Sequence, residues 1–265
     1  MRAVTLLVLT IVGAFTLVES VAADDSLDIE AFRSANLLYE SGNYEEAARS
    51  YEHLSRLGYQ DATLYYNLGN SYYRMDDKGR ALLNYLRAKR LAPLDEDIDA
   101  NLSLVRGSVS DPGAAQERPV PALGQFANWL PWVSLNAATL IALLCWLVIW
   151  AVVLTLVWNR NVPYSLTLRR VAVVAGFGLL LFGVLAVGNQ VSRNYWTETG
   201  VIIAQSTDVL EAPNARARTE INLDKGREVA VIETRAGWTR VRLPRTELEG
   251  WVLSSDVERV LLEDL

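Results

Sequence analysis

Apolar positions follow three different rhythms along this chain, and the changes of rhythm divide it. Residues 3–18 form a short uncharged run behind Arg2, and the small residues Ser20-Val21-Ala22-Ala23 close it. A positive start, an apolar centre and a small-residue end predict an export signal over 1–23, cleaved after Ala22 or Ala23. An uncleaved anchor is the alternative, because the run is near the lower length limit for spanning a bilayer. From 24 to 107 the rhythm is helical. Tyr65, Leu68, Gly69 and Tyr72 recur at i, i+3, i+4 and i+7, one stripe of a helix. Ala81, Tyr85 and Ala88 mark a second helix, which Pro93 closes. Ile98, Leu102 and Val105 face inward on a capping helix.

Residues 108–133 turn to Pro, Gly, Ala and Ser and read as an extended linker with an interfacial end. No charge occurs from 119 to 159, and 134–158 is long enough to cross roughly 30 Å of hydrocarbon as a helix. Trp129, Trp132 and Trp158 bracket it as interfacial aromatics do, and a second uncharged run covers 171–191. After Thr199 the rhythm becomes alternation over 201–204, 228–233, 238–243 and 250–253, with turn-forming clusters between. Strands at that spacing predict a small antiparallel barrel, assigned to 192–265.

The helical region repeats. Residues 28–61 and 62–95 align at a 34-residue offset: Ala47 meets Ala81, Tyr51 meets Tyr85, Leu54 meets Ala88, and Gly42 meets Asp76. Small residues at Gly69 and Ala81 allow two helices to approach closely while Tyr72 and Tyr85 fill the space beside them. The structural residues expected are therefore Ala47, Tyr51, Tyr65, Leu68, Gly69, Tyr72, Ala81, Tyr85, Ala88 and Pro93. The stretch LYYNLGNSYYRMDDKGRALLNYLRAKRLAP resembles the tetratricopeptide repeat. The first copy departs from that pattern, with Ser34-Ala35 in place of Leu-Gly and Tyr59 in place of the proline. Two copies plus a cap stand at the lower limit for a stable solenoid, so either the cap suffices or a partner completes the stack. The resemblance implies a concave surface, lined by the first helix of each pair, that binds peptides or protein segments. Asn36, Asn67 and Asn70 fall on that face as partner-binding candidates, although asparagine is also ordinary at such positions. Cations that would clamp a carboxyl terminus are missing there.

Between the two apolar runs, residues 159–170 carry Arg160, Arg169 and Arg170 and no acid, which predicts a cytoplasmic loop. The repeats and the barrel would then both lie on the periplasmic side of a bacterial inner membrane. Neither run contains Asp, Glu, Lys, Arg or His, so neither offers an ion or proton pathway. Cys145 reads as apolar filler.

DVLEAPNARA, DKGREVAVIE, GWTRVRL and EGWVLSSDVERV resemble the bacterial SH3-like domain. In that reading Trp238, Gly250 and Trp251 belong to the barrel core, and truncating Trp251 would cost about 3–5 kcal/mol. Arg240 and Arg242 could form a local basic edge toward an acidic partner, the alternative being solvated strand faces. With Trp238 and Trp251 the only aromatics between Thr199 and Val260, the barrel lacks the lining of a polyproline groove.

Composition narrows the function. A net charge of −6 over 265 residues gives no footprint for nucleic acid. One cysteine and one histidine, His53, exclude an internal disulfide, a zinc site of Cys/His type and most nucleophilic triads. No cofactor, no metal and no catalytic residue is therefore expected. The expected fold is a multidomain membrane protein with an α-helical tetratricopeptide repeat domain, two transmembrane helices and a C-terminal SH3-like β-barrel. That order, with LYYNLGNSYYR, LAPLDEDIDANLSLVR and EGWV, resembles the BatE-like proteins of the Bacteroides aerotolerance group. The resemblance implies a non-enzymatic adaptor whose partners include von Willebrand factor A-domain membrane proteins and a MoxR-type ATPase, in aerotolerance or envelope stress. The rival expectation is an envelope sensor or anchor that grips peptidoglycan through the barrel.

Overall fold

The computed structural model describes residues 25–109, 122, 124, 133–158, 165–244 and 248–261. The expected signal segment 1–23, nearly all of the linker and residues 159–164 of the expected loop lie outside the described residues. Among the described residues five helices come first: α1 (Asp25–Glu40), α2 (Tyr44–Arg56), α3 (Ala62–Arg74), α4 (Lys78–Leu91) and α5 (Glu96–Ser108). Their starts are written locally. The Asp61 carboxylate accepts from the Thr63 and Leu64 amides, and Asp95, 34 residues on, accepts from Asp97 and Ile98. Each satisfies donors that the first helical turn leaves without partners. The turns inside each helix pair match as well: Gly42 and Asp76, also 34 apart, both take positive φ, at 84° and 58°.

Ala47, Tyr51, Tyr65, Leu68, Tyr72, Ala81, Tyr85 and Ala88 are buried in one cluster. A Cβ built on Gly69 would lie 2.7 Å from the Tyr85 ring, so the glycine is what lets α3 and α4 close on that tyrosine. Pro93 sits past the end of α4, partly exposed.

Two apolar helices follow, α6 (Leu135–Trp158) and α7 (Ser165–Glu198). Both are long and apolar enough to cross a membrane. They pack along a seam of Val133, Ala138 and Leu185, with Gly178 giving room to the Cys145 thiol. Their remaining surface is apolar and open: Leu154 is 58% and Phe177 70% exposed. Helix α7 is longer than the uncharged run 171–191 and runs straight into the first strand without a linker.

The C-terminal sheet is antiparallel, with strands β1 (Thr199–Ile202), β2 (Ser206–Leu210), β3 (Thr219–Asp224), β4 (Glu228–Arg235), β5 (Trp238–Arg242), β6 (Glu249–Leu253) and β7 (Val257–Arg259) in the order β3-β2-β6-β5-β4-β1-β7. Its β4–β5 hairpin turns on Ala236 and Gly237, both at positive φ, the geometry that matches strand twist in a two-residue loop. Ile202, Val209, Leu223, Val229, Val231, Val241, Leu243, Val252 and Val257 form the inner cluster.

The tryptophans are a correction. Trp238 and Trp251 were expected in the core, but side chains alternate along a strand, and Thr239, Val241, Gly250 and Val252 take the inner face. Trp238 pairs with Leu253 and Trp251 with Arg240, all on the outer face. Gly250 does lie inside. A Cβ there would run into Val209 and stand 2.9 Å from the Leu210 carbonyl oxygen.

Repeat stack and barrel are joined rather than strung apart. Tyr195 and Trp196 at the end of α7, with Val201 and Val260, are buried in the same cluster as the repeat helices. The Thr199 hydroxyl donates to the Tyr195 carbonyl at 2.7 Å, and the Val260 amide donates to Thr199 at 2.9 Å. Ion pairs cross the joint. Arg106 on α5 meets Glu228 on β4 at 2.8 Å, Arg87 on α4 meets Glu258 on β7 at 2.8 Å, and Lys225 meets Asp77 at 3.4 Å. Arg87 also donates to the Val260 and Arg259 carbonyls.

Candidate protein-interaction surfaces

The first surface is the open side of the repeat stack. On α1 the residues Phe32, Asn36 and Tyr39 stand at i, i+4 and i+7, and Tyr66, Asn70 and Tyr73 repeat that spacing on α3 at the 34-residue offset. All six are partly buried. An asparagine ladder ties the helices together beneath them. Asn36 Oδ1 accepts from the Tyr51 hydroxyl at 2.6 Å and from Asn67 Nδ2 at 3.1 Å. One repeat later Asn70 Oδ1 accepts from Tyr85 at 2.7 Å and from Asn101 Nδ2 at 3.1 Å. Thus α5 is more than a cap: Asn101 makes it the first helix of a third repeat.

The ladder sets the chemistry of the tyrosines under it. Burial pushes the Tyr51 phenol up to about 12 and raises Tyr85 further. Tyr72 is raised by burial and by its short hydrogen bond to Glu52. Burial also raises Tyr39 at the groove's edge, with nearby Arg74 opposing. These phenols are neutral donors at physiological pH. Arg74 itself donates to the Tyr44 hydroxyl at 2.7 Å and lies over that ring.

The second surface is a cavity of about 230 Å³ beside the joint, lined by Glu52, Arg56, Tyr72, Arg80, Arg87 and Glu258. Its charges are largely spoken for, since Arg87 holds Glu258, Tyr72 holds Glu52 and Arg80 holds Asp77. The third is the outer face of β5 and β6. Arg240 pairs with Glu249 at 2.9 Å and Glu233 at 3.7 Å, and Arg242 also pairs with Glu249. The local basic edge expected of Arg240 and Arg242 is therefore charge-balanced, because Glu249, directly across the ladder from Arg242 and diagonal to Arg240, pairs with both. What this face offers instead is the partly exposed Trp238, Trp251 and Leu253.

Asn36, Asn67 and Asn70 thus come together in one ladder, while Arg240 and Arg242 lie apart on the barrel. Sequence reasoning passed over Asn101 and the Phe32/Tyr66 and Tyr39/Tyr73 rows, which the 34-residue offset would have revealed. Arg87, Arg106 and Glu228 carry no pattern in the sequence, since each is defined by a partner more than a hundred residues away. Among the described residues no cluster of His, Cys, Asp and Glu could hold a metal ion, and His53 is exposed.

A helical-repeat stack with an open groove, joined to a small antiparallel barrel, defines a chain built of protein-interaction modules. Comparison with known families gives the same division. Residues 35–76 match the family model described as a TPR repeat, and residues 209–257 match that of the bacterial dipeptidyl-peptidase Sh3 domain. No curated protein matches the chain.

Proposed function

We propose that this chain is a non-enzymatic adaptor anchored in a bacterial inner membrane by a helical hairpin, with its repeat stack and barrel both in the periplasm. The observation that carries the reading is the joint. The stack precedes α6 and α7 and the barrel follows them, yet Arg106 and Glu228 meet in a buried pair. Two modules in contact must share one side of the bilayer, so the chain between them crosses an even number of times. Two apolar helices with open apolar surfaces supply that number. Sidedness follows from the arginines at 160, 169 and 170, which favour a cytoplasmic turn. Protease added to intact spheroplasts should cut both the stack and the barrel. Protection of both until lysis would refute the orientation.

The resemblance to BatE-like proteins points to von Willebrand factor A-domain membrane proteins and a MoxR-type ATPase as partners in aerotolerance or envelope stress. Crosslinking in the native membrane followed by partner identification tests this, and an absence of such proteins among the products would refute it. A second reading, peptidoglycan binding by the barrel, is favoured by the outward-facing Trp238 and Trp251. Retention of the purified protein on wall sacculi, lost on replacing both tryptophans, would favour that reading.

A further inference from the structure

The cavity beside the joint keeps cationic donors uncommitted. It lies on the second-helix side of the stack, away from the open groove, where α2 and α4 meet the β7 residue Glu258. Its volume of about 230 Å³ is below the roughly 300–1,000 Å³ of pockets for drug-sized ligands, so it suits a small group rather than a length of chain. Most of the polar lining is engaged. Arg87 donates to Glu258, to Asn84 and to the Arg259 and Val260 carbonyls. Ser55 bonds the Tyr65 hydroxyl, Asn84 Nδ2 donates to the Arg80 carbonyl, and Glu52 accepts from Tyr72.

Arg56 is different. Glu52 precedes it at i−4, the spacing of a helical ion pair, yet that carboxylate has turned to Tyr72. Arg56 is exposed and makes no hydrogen bond or ion pair among the described residues. On α4, Arg80 holds Asp77 through Nη1 alone, at 3.3 Å, and Asp77 is shared with Lys225. The Nε and Nη2 donors of Arg80 stay open while its guanidinium lies over the Tyr72 ring. Buried Leu68 and Leu83 supply the apolar lining. Guanidinium donors match the two oxygens of a carboxylate, and leucines accept methylenes. Charge sets the limit. Three arginines and two glutamates line the cavity, a surplus of one positive charge, so a monoanion neutralises it and a dianion overshoots. We infer that this cavity binds a single carboxylate on a short aliphatic stem, held by Arg56 and Arg80 and walled by both modules. The inference goes beyond the adaptor reading, because it holds or fails whatever protein the stack engages.

A free short-chain acid and a glutamate side chain of a partner carry this same group. The test titrates the full chain in nanodiscs by ligand-observed NMR, with empty nanodiscs as the blank. The probes are butyrate, an Ala-Glu-Ala peptide blocked at both ends, butylamine and inorganic phosphate. Butyrate or the peptide should bind at least about tenfold more tightly than butylamine or phosphate, as hydrogen bonds between charged groups allow. The tighter of the two names the source. Arg56→Met should melt as the parent does and lose about tenfold in affinity, while Arg56→Lys, which keeps the charge without the fork, loses less. Arg49→Met, which removes an exposed arginine elsewhere on α2, should bind as the parent does. Bound carboxylate should also slow hydrogen exchange at Val257, Glu258 and Arg259, since β7 forms part of the wall. Failure of both carboxylates to bind, or affinity unchanged in Arg56→Met, overturns the inference. So do phosphate binding as tight as the carboxylates, an equal loss in Arg49→Met, and exchange at β7 that ignores the ligand.

Discussion

Removing one member of the Arg106–Glu228 pair should open the joint between stack and barrel. The two side chains are 10% and 3% exposed, and Nε stands 2.8 Å from Oε1. A lone charge left at such depth is what makes a broken buried pair cost about 3–5 kcal/mol, whereas exchanging both members for apolar residues of like volume is near neutral. Arg106→Met and Glu228→Met should therefore each destabilise by about 3–5 kcal/mol, and the double variant should recover most of the loss. Arg240→Met is the control. Its pair with Glu249 has almost the same length, 2.9 Å, but the arginine is 41% exposed, so its loss should cost no more than about 1 kcal/mol. Denaturant unfolding of the full chain in detergent gives the four corners of the cycle. Hydrogen exchange at β1, β4 and α5 shows whether the joint opens before either module unfolds. Single variants costing less than about 1 kcal/mol, or effects that simply add, would refute the reasoning.

Gly250→Ala should destabilise the barrel by about 1–3 kcal/mol, because the new Cβ meets Val209 and the Leu210 carbonyl, and a backbone oxygen cannot rotate away; an unshifted melting temperature would contradict the packing. Trp251→Ala should cost about 2 kcal/mol and leave the barrel folded, since an outer-face side chain forfeits transfer energy without opening a core cavity, and loss of the β-sheet circular dichroism would contradict this. The repeat stack should lose stability in alkali. The folded Tyr51 phenol is held up to about 12 against 10.0 when free, so its contribution is whole below 10.0 and disappears as pH rises toward 12. A thermal midpoint that stays flat across that interval would be incompatible with a buried neutral phenol.

Local patterns were legible in the sequence wherever one segment decides its own structure. The stripe at Tyr65, Leu68, Gly69 and Tyr72, the proline at 93 and the carboxylates at 61 and 95 are read within a few residues of where they act. The RAGW turn is equally local, since its hairpin needs two residues at positive φ. Strand β3 was not legible, because it runs along the sheet edge with one buried side chain and so shows no apolar alternation. The tryptophans misled for a related reason. Hydrophobicity alone favours Trp251 over Gly250 for the interior, whereas register and the approach of β2 decide for the glycine. The asparagines could be placed on a face but not assigned bonds, which depend on Tyr51, Tyr85 and Asn101 arriving from other helices.

The joint also answers how so short an array stands. A solenoid's last helix needs either a polar outer face or something to cover it. Helix α5 does not present a wholly polar surface, since Val105 and Arg106 are both buried. Strand β4 brings Glu228 to Arg106, and β1 and β7 lie against α4. The barrel therefore covers part of the stack, alongside the alternatives of a sufficient capping helix or an external partner. Because β1 continues α7 with no intervening loop, the barrel begins at the end of an apolar helix. Tyr195 and Trp196, at the end of that helix, lie in one buried cluster with the repeat helices.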